Sequence, residues 1–280
     1  MSKAPRILSG GVTSDPWNNL KKLTAARVAL GRAGVSLPTA AHLEFQLAHA
    51  EARDAVHAAL DAERLAEQIR QKGLTCLVGH SAAVDRKEFL QRPDLGRKLD
   101  DSTKDTLSQW HQEMDCASFD LSIVIADGLS ARAVRDHSLP VVDSLVTLAR
   151  EEGWRLSPVV IVRQGRVAIG DEIASRLSAS MVVLLIGERP GLSSPDSLGA
   201  YFTYQPKPGL KDDARNCISN IRPEGLSYSV ASHKLAGLLR GANARQLSGI
   251  QLKDDSDPVA LDGDIADIGN FLAITDSHDQ

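Results

Sequence analysis

The sequence is poor in residues that announce chemistry on their own. Its 280 residues hold three cysteines, Cys76, Cys116 and Cys217, far apart in the chain. So sparse and odd a set is no disulfide framework, and no Cys-x-x-Cys pair points to zinc. A reducing cytosol suits it. The N-terminus lacks an apolar h-region, so no secretory signal is expected. The longest apolar runs, such as Met181–Ile186, fall far short of the roughly 20 residues that span a bilayer. No GxGxxG follows the first α/β strand, and GxxxxGK[ST], GxSxG and HExxH are absent, which removes the strongest markers for dinucleotide, P-loop, serine-hydrolase and zinc-protease sites. Basic residues are not in excess: 32 Lys and Arg stand against 36 Asp and Glu. A nucleic-acid-binding role therefore has no electrostatic support.

What is present is ordinary globular material. Apolar residues make up 42% of the chain and charged residues 24%, enough to build a full core without staples. Residues 1–16 are polar and rich in Gly, Ser and Pro, and read as a flexible arm. Trp17–Arg32 reads as a helix interrupted by Gly31 and Gly34. Pro38 and Thr39 open a second helical stretch with Leu43, Leu47 and Ala50 at helical spacing, continuing to a stop at Gly73. Thr75–Val78 suits a short strand, and Arg92–Arg97 a turn feeding a helix over Ser102–Gln112.

From Phe119 the pattern changes. Asp120–Ala126, Pro158–Val162 and Met181–Ile186 are apolar runs bounded by turn residues, and Tyr201–Tyr204 is a fourth candidate strand. Ser130 can cap a following helix; Leu139–Glu152 and Ser227–Arg240 have helical periodicity, and Asp171 can cap a helix between them. Near-continuous apolar strands alternating with helices predict a mostly parallel sheet covered on both faces. The expected organisation is α/β: a helical N-terminal region over 17–114, then a Rossmann-like domain over 115–253. Residues 254–280 carry eight Asp and neither Lys nor Arg, and read as an acidic solvated tail.

In such a sheet ligands meet the carboxyl ends of the strands. Three segments should lie there: Asp127–Ser130, Arg163–Val167 and Gly187–Asp196. The compact run Asn216–Ile221 suits a loop reaching a ligand, or a plain turn between strand and helix. Cys217 and His233 could form a nucleophilic pair, although a lone Cys is more often a small buried apolar residue. His42, His49 and His57 fall on the N-terminal helices at spacings that allow one face, and suit exposed positions better than a metal.

Several stretches are long and specific: ARVALGRAG (26–34), RPDLGRKL (92–99), DLSIVIADGLSA (120–131), PVVIVRQGRVAIGDEI (158–173), VVLLIGERPGLSSPDSLGAYFTY (182–204), RNCISNIRPEGLSYSVA (215–231) and LSGIQLKDDS (247–256). Through them the sequence closely resembles the small subunit of ethanolamine ammonia-lyase. The resemblance implies an adenosylcobalamin-dependent lyase that converts ethanolamine to acetaldehyde and ammonia by radical chemistry. It implies a hetero-oligomer with a large TIM-barrel subunit that holds ethanolamine, the cofactor lying between the two chains. By motif it carries three cofactor-binding positions onto this chain: Val167 in QGRV, Glu188 in GERPG and Cys217 in RNCISN. It implies no catalytic residue, metal ligand, nucleic acid or membrane for this chain. It implies a cytoplasmic location, with packaging in a bacterial microcompartment in some members. The reading that competes with it is a stand-alone α/β hydrolase or transferase using Cys217.

Overall fold

The computed structural model describes residues 7–8, 11–24, 26–115 and 117–254. Three two-residue strands, β1 (Ile7–Leu8), β2 (Val12–Thr13) and β3 (Arg32–Ala33), make a small antiparallel sheet. Two of them fall in the stretch read as a flexible arm. No α-helix forms over Trp17–Arg32. A short 3-10 helix over Pro16–Lys22 is capped by Asp15, and the chain then turns through Ala29 and Gly31 with φ of 52° and 78°. Left-handed residues cannot continue a right-handed helix. At Gly31 a Cβ would also stand 2.7 Å from the Thr13 carbonyl of β2.

Helix α1 (Thr39–His57) and α2 (Ala62–Gln71) follow, separated by residues 58–61. The Asp61 side chain accepts from the Arg64 N–H and starts α2. Gly73 then stops it at φ 78°. α1 buries only Ala48 and Ala55 and leaves Leu43 and Leu47 exposed. His42, His49 and His57 are exposed on it, as their spacing predicted.

The main sheet has six strands: β4 (Cys76–His80), β5 (Phe119–Ala126), β6 (Val159–Arg163), β7 (Ala179–Gly187), β8 (Leu198–Tyr204) and β9 (Arg215–Ile221), in the order β4-β6-β5-β7-β8-β9. The first four run parallel; β8 and β9 add by antiparallel pairing. The fold is the mixed α/β class with a mostly parallel sheet that the apolar runs predicted. The sheet reaches back to Cys76, well before residue 115. β4 is short and only half apolar, which is why its place in the sheet is faint in sequence.

Both faces of the sheet are buried along its central strands β5, β6 and β7. Leu121, Ile123 and Ile125 of β5 point into one core with α2, α5 (Ala131–Glu151) and α7 (Tyr228–Arg245). Val124 and Ala126 point into the other, with α4 (Asp101–Glu113) and α6 (Ile169–Arg176). This is the two-residue period of a strand read on two apolar faces. α3 (Arg86–Gln91), a helix without a strong sequence signal, is capped by the Asp85 side chain and drives Phe89 into the interior.

α5 is longer than its Leu139–Glu152 signal. It starts at the Ser130 cap and carries Pro140 inside. An internal Pro costs about 3 kcal/mol. The eleven residues that α5 buries, from Ala131 to Ala149, outweigh that. Asp171 is not a cap: it lies in the first turn of α6 and is buried. Asn216–Ile221 is neither ligand loop nor turn but part of edge strand β9. Pairing with β8 satisfies the inward side of its backbone, and its polar side chains suit an edge. No described helix is long and apolar enough to cross a membrane. Of the acidic tail only Asp254 is described, paired with Lys234 at 2.5 Å; the rest lies outside the described residues.

Candidate functional site

The order of the strands decides where a ligand can enter. β5 is followed by α5 on one face of the sheet, and β6, its neighbour, by α6 on the other. The chain therefore diverges from the carboxyl ends of β5 and β6 and leaves a crevice between them, the switch point of an open α/β sheet. A cavity of about 280 Å³ lies at these ends. Gly128 and Leu129 after β5, Gly165, Arg166 and Val167 after β6, and Ile186–Arg189 at the end of β7 line it, with Phe89 and Tyr201 completing the wall. All three segments predicted to lie at strand ends contribute to it.

Glycines let the backbones meet here. Gly128 has φ 56°, and a Cβ on it would strike the Gly187 carbonyl; a Cβ on Gly187 would strike the Ser130 carbonyl. Between them the Leu129 N–H donates to the Gly187 carbonyl at 2.9 Å. Beneath the crevice Asp127 is buried and accepts from the Gly165 N–H at 3.1 Å. Burial pushes its carboxyl above the ordinary range, against the pull of backbone N–H groups and Arg86. Arg86 donates from Nη1 to the Gly128 carbonyl at 2.8 Å and from Nε to the Val56 carbonyl at 2.6 Å. These contacts tie α1, α3 and the β5 and β6 loops into one floor.

Of the three positions carried by motif, Val167 and Glu188 line the crevice directly. Cys217 lies on β9 directly opposite Tyr201 of β8, and Tyr201 is part of the crevice wall. Val167 and Glu188 thus share one opening, while Cys217 stands one strand away, behind Tyr201. The Glu188 carboxylate accepts from Ser219 Oγ at 2.5 Å, from the Asn220 N–H at 3.1 Å and from Ser197 Oγ. A carboxylate offers about four acceptor positions, so roughly one remains for a ligand. Although Cys217 is open to solvent, protein around the sulfur pushes its thiol pKa up; Tyr201 offsets this only in part. His233 lines a groove between α5 and α7 with Asp143 and Arg240, and no hydrogen bond among the described residues joins it to Cys217. A thiol that resists ionisation and has no base is a poor nucleophile. Among the described residues no group of three or more His, Cys, Asp and Glu is gathered for a metal.

Sequence reasoning missed Phe89 and Tyr201 as wall residues, whereas Arg166 lies inside the predicted segment Arg163–Val167. Phe89 comes from a helix with no clear signal, and Tyr201 shows only as part of a strand.

The loop after β7 is held from several sides. Ser130 Oγ donates to the Pro195 carbonyl at 2.8 Å. Asp196 bonds Nε2 of buried His137 at 3.0 Å and accepts from Arg222 Nη1 at 2.6 Å, while His137 Nδ1 meets the Tyr228 hydroxyl at 2.7 Å. A loop this restrained presents Glu188 and Arg189 in one geometry.

Comparison with known proteins identifies the family. The family described as Ethanolamine ammonia-lyase light chain (EutC) matches residues 14–253. A protein of Azotobacter vinelandii named "Ethanolamine ammonia-lyase small subunit" is 57% identical over 260 residues, 93% of this chain and 96% of the relative. A protein of the same name from Pseudomonas aeruginosa is 56% identical over 262 residues, 94% of this chain and 96% of the relative. One from Pseudomonas syringae pv. tomato is 52% identical over 280 residues, 97% of each chain. With a match across its whole α/β body and near-full-length relatives above half identity, the chain belongs to the ethanolamine ammonia-lyase light-chain family, the small subunits of that lyase.

Proposed function

We propose that this chain covers adenosylcobalamin in a two-subunit ethanolamine ammonia-lyase and, with a TIM-barrel large subunit that holds the substrate, converts ethanolamine to acetaldehyde and ammonia in the cytoplasm. The observation that carries this reading is the convergence of Val167, Glu188 and Tyr201, the cross-strand neighbour of Cys217, on one crevice, although they are drawn from three separate stretches of the chain. The cofactor, when bound, supplies the radical chemistry; the protein binds it, orients it and excludes competing reactions.

The residues fit such a group. Cobalamin is an apolar ring fringed with amides, and the crevice offers apolar wall from Val167, Leu129 and Ile186 beside an acceptor, Glu188, and a donor-rich rim. Size decides how much of it this chain can hold. Sites that bury a drug-sized ligand measure roughly 300–1,000 Å³, and cobalamin is larger than such ligands. A crevice of about 280 Å³ can grip one edge of it and no more, so a second chain must close the site. Glu188 has about one acceptor position left for a cofactor amide N–H or ribose hydroxyl. Cys217 keeps its proton and is small enough for close approach. None of these groups needs to move a proton.

The test is a titration of adenosylcobalamin, followed by visible absorbance, into this chain alone, the large subunit alone and the two together. Tight binding and ammonia release are expected only from the mixture. Cofactor binding and turnover by the large subunit at full strength without this chain would overturn the reading. A stand-alone hydrolase or transferase using Cys217 has nothing in its favour at the site, given the raised thiol and the missing base.

A further inference from the structure

The rim of the crevice carries arginines that no carboxylate engages among the described residues. Arg166 and Arg189 line it. Arg97 follows Gly96, whose carbonyl accepts from the Arg166 N–H at 2.7 Å, and it is near enough to repel the Arg166 charge. Among the described residues none of the three forms an ion pair. The one carboxylate in the wall is Glu188, whose oxygens already accept from Ser197, Ser219 and Asn220.

Arg166 is held ready. Its Nη2 donates to the Phe89 carbonyl at 2.9 Å, and its guanidinium lies over the Phe89 ring, 4.3 Å from the centroid. Its Nε is buried and has no partner. Burial, with Arg97 and Arg189 nearby, lowers its pKa, the sign expected of a cation crowded by cations. Buried donors in native proteins are normally satisfied, and one left over calls for an acceptor from outside. Guanidinium groups match phosphate oxygens in shape and charge.

We propose that Arg166 and Arg189, with Arg97 beside them, form an anion subsite on the crevice rim that takes the phosphodiester of the cofactor's nucleotide tail, an inference that rests on the cobalamin reading of this crevice. The amide fringe of the corrin ring is uncharged, whereas the phosphodiester carries a full negative charge, and that is the group three unpaired guanidiniums select. Free phosphate shares this chemistry, so the test must separate the two sources.

The experiment uses the full chain in complex with the large subunit. Cobalamin and cobinamide, the same ring without the nucleotide tail and its phosphodiester, are titrated into the wild type, Arg166→Gln and Arg189→Gln, with inorganic phosphate as competitor in a parallel series. Arg189 is exposed and has no side-chain partner among the described residues, so its replacement should leave the fold intact even if that of Arg166 does not. Arg189→Gln is expected to weaken cobalamin binding about tenfold, the size of one charge-assisted hydrogen bond, and to change cobinamide binding by less than about twofold. Phosphate should compete with cobalamin in the wild type and less in the variant. Equal losses for both corrinoids would overturn the subsite, as would cobalamin affinity unchanged in both variants. Loss of the large subunit from Arg189→Gln would overturn it too, by assigning the arginine to the partner protein. A wild-type complex that binds cobinamide as tightly as cobalamin overturns the subsite and leaves the cofactor reading standing; one that binds neither overturns both.

Discussion

Glu188 accepts from Ser197 at the far end of its own loop and from Ser219 and Asn220 of β9. One carboxylate therefore fastens the edge strand to the loop and still faces the crevice. Glu188→Ala removes the acceptor from three donors and is expected to cost about 1–3 kcal/mol in denaturant unfolding, together with a weaker cobalamin titration of the two-subunit complex. Glu188→Gln, which keeps one acceptor oxygen, should lose less on both counts. An Ala variant that unfolds like the wild type would mean that water replaces the carboxylate without penalty. Cys217 makes a prediction of its own. Its thiol pKa lies above the ordinary value because protein around the sulfur disfavours the thiolate. Labelling by iodoacetamide should therefore rise with pH along a curve displaced above that of a free thiol, near pH 8.5, as mass spectrometry of the 217 peptide can follow. A displaced curve in the other direction would restore the nucleophile reading.

Between elements, two buried charge clusters hold β9 and the loop after β7 in place. Arg215 of β9 donates from Nη1 to both oxygens of Asp171 in α6 at 2.6 Å, both side chains being almost fully buried. Burial raises the Asp171 pKa, and Arg215 opposes the shift without cancelling it. Arg215→Met strands a carboxylate in the core and should cost about 3–5 kcal/mol, much of it recovered when Asp171→Leu is added. The Asp196 cluster titrates in the opposite sense. Burial pushes its carboxyl up, but His137 and Arg222 outweigh burial and hold its pKa below the ordinary value. A carboxylate depressed in the folded state stabilises it above the unfolded pKa, about 3.9, and that contribution is lost as pH falls through the folded pKa. The melting-temperature gap between wild type and Asp196→Asn should thus be widest near neutral pH and close below about pH 4. The close approach of the β5 and β7 loops is equally specific to this packing. Gly128→Ala, with φ 56° and no room for a Cβ, should destabilise by about 2–5 kcal/mol.

For the molecule as a whole, the charge balance divides in two. Residues 254–280 hold eight of the 36 acidic residues, which leaves 28 acidic against 32 basic residues in the body. The body matches the family and carries the arginine rim, so the mildly acidic total conceals a site of the opposite sign. Purified alone, the chain is expected to release no ammonia from ethanolamine, assayed with adenosylcobalamin present; robust turnover by the lone chain would contradict the two-subunit reading.

Local signals carried much of this. Apolar runs bounded by turn residues marked β5, β6 and β7, because strands buried on both faces need no polar alternation. The long family stretches named positions 167, 188 and 217 and the lyase to which such chains belong. What sequence could not supply depends on contacts between distant segments. β4 is too short and too polar to betray its parallel partner, and β9 becomes a strand only because β8 offers it hydrogen bonds. Asp171 looks like a helix cap until Arg215, 44 residues away, neutralises it in the core. The crevice itself is a product of strand order. Neighbouring β5 and β6 send their helices to opposite faces, and that divergence, which no single segment encodes, brings Phe89, Arg166, Glu188 and Tyr201 to one opening.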